Sequence, residues 1–138
     1  MRISSKGKED GSMRIAVLTA CAALMSTTAV SYAQQSADPS GVWLRDDGNA
    51  RVRIAPCGNN ICATNLWIGD TSKGEEAGDR LVMSLKPKSA NTLAGTAYDA
   101  KRDRTYAITV QVSGKSLVTR GCILGGVLCK NVHWQSAP

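Results

Sequence analysis

A period of two constrains this chain more than any other feature. Tyr106, Ile108, Val110 and Val112 alternate with Ala107, Thr109 and Gln111, and Ala50, Val52 and Ile54 alternate with Arg51 and Arg53. Successive side chains of an extended strand point to opposite faces, so this spacing buries one face and wets the other. Parity therefore sends Arg51 and Arg53 to solvent, as candidates for surface interaction.

Turn-forming residues cut the chain at short, regular intervals. Asp46-Asp47-Gly48-Asn49, Gly58-Asn59-Asn60, Pro87–Asn91, Asp99–Asp103 and Ser113-Gly114-Lys115 separate the apolar runs, and Gly69–Asp79 forms a longer polar loop. The runs between them are Val42–Leu44, Ala50–Ile54, Ile61–Ile68, Leu81–Lys86, Thr92–Tyr98, Tyr106–Val112, Leu117–Cys122 and Leu128–Trp134. Eight short strands with no helical period between them predict an all-β domain, an antiparallel barrel or sandwich.

The N-terminus belongs to a different class of segment. Met13-Arg14 precedes an apolar run, Ile15–Val30, and Ser31-Tyr32-Ala33 places small residues at both recognition positions of a cleavage site before Gln34. This pattern predicts a secretory signal over residues 1–33, with Met13 as the true start, and one mature domain over 34–138. A retained span would need about 20 apolar residues, more than this Thr-, Ser- and Ala-rich run supplies. Leu18-Thr19-Ala20-Cys21 resembles a lipid-attachment site. However, only Ile15–Ala20 precedes Cys21, short of the roughly 7 to 15 apolar residues expected. The expected location is the periplasm or beyond.

Export makes sense of the cysteines. Without Cys21, four remain: Cys57, Cys62, Cys122 and Cys129. An even count in a small exported domain reads as two disulfides, with three possible connectivities. Zinc is the rival reading, but the spacings are wider than zinc sites use. Each pair flanks a turn, so local bridges 57–62 and 122–129 are expected to pin two hairpins.

Losing four basic and two acidic residues with the leader takes the formal charge from +6 to +4. The basic residues are scattered, without the dense patch and stacking aromatics that nucleic acid requires. His133 is the only histidine, and no serine or free cysteine stands in a nucleophile context, so no enzyme is expected. Asp70, Ser72, Gly74, Glu75, Glu76 and Asp79 lack the regular ligand spacing of a calcium loop. No metal, cofactor or catalytic residue is expected.

Gly41-Val42-Trp43, Ala50 through Gly58, Cys62, Trp67, Ala97-Tyr98-Asp99, Arg120-Gly121-Cys122, Gly125-Gly126, Cys129 and Trp134 together resemble the bacterial family named domain of unknown function 2147. The chain departs from its pattern at Ala63, Ala100 and Ser136. The resemblance implies a small envelope protein with a lipocalin-like barrel, with Gly41, Trp43 and Trp134 as structural residues, and implies no activity. An eight-stranded barrel is wide enough to be filled by its own side chains or to hold one small ligand. Few large apolar residues and no Phe point to a mostly filled interior. Two functions stay open: a module holding a small apolar or amphipathic envelope molecule, or a structural or interaction protein using its basic surface or its own copies.

Overall fold

The computed structural model describes residues 28–31 and 37–138, with only the backbone of Leu124. The expectations placed on Met13, Cys21, Ala33 and Gln34 lie outside the described residues. Eight strands follow in order: β1 (Gly41–Arg45), β2 (Ala50–Cys57), β3 (Asn60–Ile68), β4 (Arg80–Ser89), β5 (Thr92–Asp99), β6 (Arg104–Ser113), β7 (Ser116–Ile123) and β8 (Leu128–Ser136). Each pairs antiparallel with the next, and β8 returns to β1, closing the barrel. All eight strands predicted from alternation are present. Among the described residues no helix is long and apolar enough to cross a membrane.

The two-residue period sets the register. Val52 and Ile54 are buried while Arg51 and Arg53 are exposed, as their parity requires. Carrying that parity around the ladder turns Trp43, Met83, Leu93, Ala97, Ile108, Val110 and Leu117 inward, where they form one core. The outward set holds Arg51, Arg53, Thr64, Ser84, Thr96, Thr109, Arg120 and His133. Polar outside and apolar inside is the reverse of a barrel that sits in lipid. The period is interrupted twice, at Lys88 near the end of β4 and within β3. Arg51 pairs with Trp67 and Val52 with Asn65, which leaves Leu66 as the extra residue of β3. The bulge returns Ile68 to the interior and leaves Trp67 outside, half exposed.

Both disulfides are local: Cys57–Cys62 and Cys122–Cys129. Cys122 and Cys129 are direct cross-strand partners, with Cα atoms 4.1 Å apart. The first bridge is diagonal, since Cys57 pairs in register with Asn60 and Cys62 with Ala55.

The two ends of the barrel differ. The tight turns at Gly58, Ala90–Asn91 and Gly114 gather at the end where the chain enters β1. There the Trp43 indole donates to the Pro39 carbonyl at 2.8 Å and lies buried, closing that end as a floor. The longer connections, 46–49, 69–79, 100–103 and 124–127, gather at the opposite end.

Strands β4 and β5 approach so closely at Gly95 that an added Cβ would land on the Ser84 carbonyl oxygen. Backbone cannot yield as a flexible side chain can, so only glycine fits. Gly95→Ala is expected to lower the free energy of unfolding by about 2 kcal/mol, as overpacking does. An added Cβ at Gly121 meets nothing within 4 Å, so Gly121→Ala should stay within about 0.5 kcal/mol of the parent. Urea-unfolding midpoints of the two variants check both statements.

Candidate functional site

The inward-facing side chains do not fill the barrel. They enclose a cavity of about 550 Å³ that opens at the end of the longer connections. This corrects the expectation of a mostly filled interior. The sequence does lack bulky residues, but the outcome is the opposite of the one inferred. Small residues on the inner register, Ala63, Ala97 and Gly121, leave the wall standing back from the axis. Barrel closure holds that wall in place, so the interior cannot collapse to use the space.

The floor is apolar, with Val110 and Leu117 almost wholly buried beside Trp43. Val52, Ile54, Met83, Ile108 and Val132 carry the apolar wall upward. One polar contact is built into it, where the Trp134 indole donates to the Thr119 hydroxyl at 3.0 Å. On one side of the mouth the wall is β7–β8, where Ile123 and Leu128 meet an exposed apolar lip at Val127.

Charge is confined to the mouth. Arg45, the last residue of β1, faces inward by the parity of Trp43. It binds both oxygens of Glu75 at 2.7 and 2.9 Å, and Asp47 at 2.9 and 3.0 Å. Asp99, the one buried polar residue among those described, accepts from the Arg102 guanidinium at 2.7 Å and from the Arg102 backbone N–H at 3.2 Å. Lys101 reaches Glu76 at 3.0 Å, Asp79 at 3.1 Å and the Gly74 carbonyl at 3.0 Å. These contacts fasten loop 69–79 to β1 on one side and to the β5–β6 turn on the other. Lys130, an inward-register residue of β8 paired with Gly121, also lines the mouth.

The ion pairs move the titrations. Hydrogen bonds from Arg45 hold the Glu75 carboxyl below its ordinary value of 4.5, against an opposing push from burial. Burial pushes Asp79 upward, but the Glu76 amide and Lys101 outweigh it and leave Asp79 lowered. Hydrogen bonding to Glu75 raises Arg45, which stays charged throughout.

The residues singled out in the sequence fall into three places. Trp43 and Trp134 belong to the cavity wall. Arg51, Arg53, Arg120, Tyr98 and His133 lie on the outer face, where Arg120 meets Asn131 at 3.3 Å and Tyr98 donates to Asp103 at 3.0 Å. The acids of loop 69–79 serve as anchors: Glu75, Glu76 and Asp79 each meet a cation. Among the described residues no group of three or more His, Cys, Asp and Glu is gathered as a metal site. Arg45, Asp99 and Lys130 were missed, although each stands two residues along the inner register from an apolar neighbour. Charge on that register was the available signal.

A closed antiparallel barrel, hollow at one end and ringed there by charge, defines a small protein built around an interior cavity. The chain belongs to the bacterial family described as "Uncharacterized protein conserved in bacteria (DUF2147)", whose model matches residues 41–136. No curated protein and no solved structure matches it.

Because Glu75 is depressed in the folded state, its tether contributes fully above about pH 4.5 and is lost as pH falls through the lower, folded value. Asp79 acts in the same direction. Hydrogen exchange at the Gly78 amide, which donates to Asn65, should therefore lose protection between pH 6 and pH 3 after correction for intrinsic rates. Glu75→Gln should already show weakened protection at pH 6 and a smaller further loss.

Proposed function

We propose that this protein is an exported, non-enzymatic module that holds one small apolar or amphipathic molecule inside its barrel. The observation that carries the reading is the cavity. Its 550 Å³ falls within the roughly 300–1,000 Å³ of small-molecule sites, and it has a mainly apolar wall with charged groups only at the mouth. The acidic groups there are each engaged by a cation. Arg45–Glu75 and Arg102–Asp99 hold a loop and a turn in place, which supports a binding role over acid–base chemistry. Export is supported by the leader-like pattern before Gln34 and by two disulfides, which an oxidising compartment maintains.

A second reading uses the exposed Arg51 and Arg53 on the outer face of β2 to meet anionic envelope surfaces. The cavity favours the first, since a surface role needs no hollow interior.

The neutral apolar dye N-phenyl-1-naphthylamine should bind saturably, at one site, and with little dependence on salt, because apolar burial is not screened. Gly121→Leu projects a side chain into the cavity from a position with open space. It should weaken the dye about tenfold or more while the protein stays folded. The change in indole emission on binding should come from Trp43 and Trp134 in the wall and not from Trp67 outside it, so Trp67→Phe should retain it. Absence of saturable binding, or equal binding by Gly121→Leu, overturns the proposal. Salt-sensitive association with anionic vesicles, abolished by joint Arg51→Ala and Arg53→Ala, would favour the second reading.

A further inference from the structure

We infer that the occupant of the cavity is a single-chain anionic amphiphile, with its acid group on the Lys130 ammonium at the mouth and its tail directed toward Trp43. The inference rests on the ligand-binding reading above and adds the chemistry of the ligand.

On the cavity lining itself cations outnumber acids by four to three, with Asp47 beside Arg45 at the rim. Arg45, Arg80, Arg102 and Lys130 line the cavity against Glu75, Asp79 and Asp99. All three acids are engaged: Glu75 by Arg45, Asp79 by Lys101, Asp99 by Arg102. Among the described residues Lys130 and Arg80 form no salt bridge, and Lys130 acts only at longer range, on Asp47. Lys130 is the better placed, because its register points it inward, between Leu128 and Val132 of β8. Its methylene stem can lie along that apolar wall while the ammonium stays at the opening. Its cross-strand partner is Gly121, and the space in front of that glycine is empty. An ammonium beside an unfilled pocket, with no salt bridge among the described residues and only a longer-range attraction to Asp47, suits an anionic head group, which it can meet as a point charge with three donors.

Below that level the described wall carries no charged side chain. Val52, Ile54, Met83, Ile108 and Val110 surround a path to the Trp43 floor, and the Thr119 hydroxyl already accepts from Trp134. A water molecule occupies about 30 Å³ in the liquid, and a methylene is of similar size. The cavity therefore takes one chain of on the order of fifteen carbons, and not two. The closed floor makes chain length a selectivity filter.

Displacement of the bound dye at pH 8 tests this with compounds that share one tail: dodecanoate, dodecyl phosphate, dodecanol and dodecyltrimethylammonium. The anions should bind about tenfold more tightly than the alcohol, and the cation least tightly. Whichever anion is preferred distinguishes a fatty-acid source from a phosphate-headed lipid, and either supports the inference. Lys130→Met should bring the dodecanoate-to-dodecanol ratio close to one, while Arg51→Ala, which removes a charge outside the barrel, should leave it unchanged. From octanoate to dodecanoate, each methylene should tighten binding about fourfold. If dodecanoate binds no better than dodecanol, or if the ratio survives in Lys130→Met, this inference falls while the ligand-binding reading stands. If the dye itself does not bind, the reading fails and takes the inference with it.

Discussion

Three residue pairs join the ends of the sheet: Trp43 with Ser136, Leu44 with Gln135 and Arg45 with Trp134. Backbone bonds from Asp46 to His133 and from Ala137 to Val42 extend the seam. The rest of the molecule depends on this closure. An open sheet of these strands would present two edges, and its apolar face would need another layer to cover it. Closed, the sheet covers its own apolar face and can keep an unfilled space there. β1 is the shortest strand, yet it supplies the floor through Trp43 and one anchor of the mouth through Arg45.

The two ends of the interior are governed by different forces. The floor is held by apolar packing and one indole hydrogen bond, which salt and ordinary pH hardly touch. The mouth is held by Arg45–Glu75, Lys101–Asp79 and Arg102–Asp99, groups in partial contact with water, where screening and protonation act. Between β3 and β4 the ladder has only four pairs, Ile61–Met83 to Thr64–Arg80. Loop 69–79 takes over where that pairing stops, so the ion pairs that fasten it also complete the wall.

The fold was legible because every cue agreed: the alternation of Ala50–Ile54 and Tyr106–Val112, the turn residues, and the cysteines flanking two hairpins. The cavity was not. Counting large apolar residues predicts how much volume is available for packing, but not whether a closed wall can contract to meet it. Arg45 and Lys130 were passed over as scattered surface charge, although parity from Trp43 and Val132 places both inward. Glu75 and Arg102 could not have been found this way. They lie in connections, where no period fixes direction, and their partners are distant in sequence. The bulge at Leu66 likewise breaks the parity: counted from Ile61 and Ala63, Trp67 would face inward, yet it lies outside.

Both disulfides sit on outward-facing positions, Cys57, Cys62, Cys122 and Cys129, while the cavity wall is drawn mainly from the inward ones. Strand alternation thus sorts two tasks onto two nearly separate sets of residues. The bridges hold the register of the hairpins while only Cys129 borders the cavity, near its mouth. A change such as enlarging Ala63 or Gly121 reshapes the interior without touching a bridge. The scaffold is in this sense modular: related sequences can keep one covalent frame and drift in what the hollow accommodates, so a shared cysteine pattern in such a barrel need not mean a shared occupant.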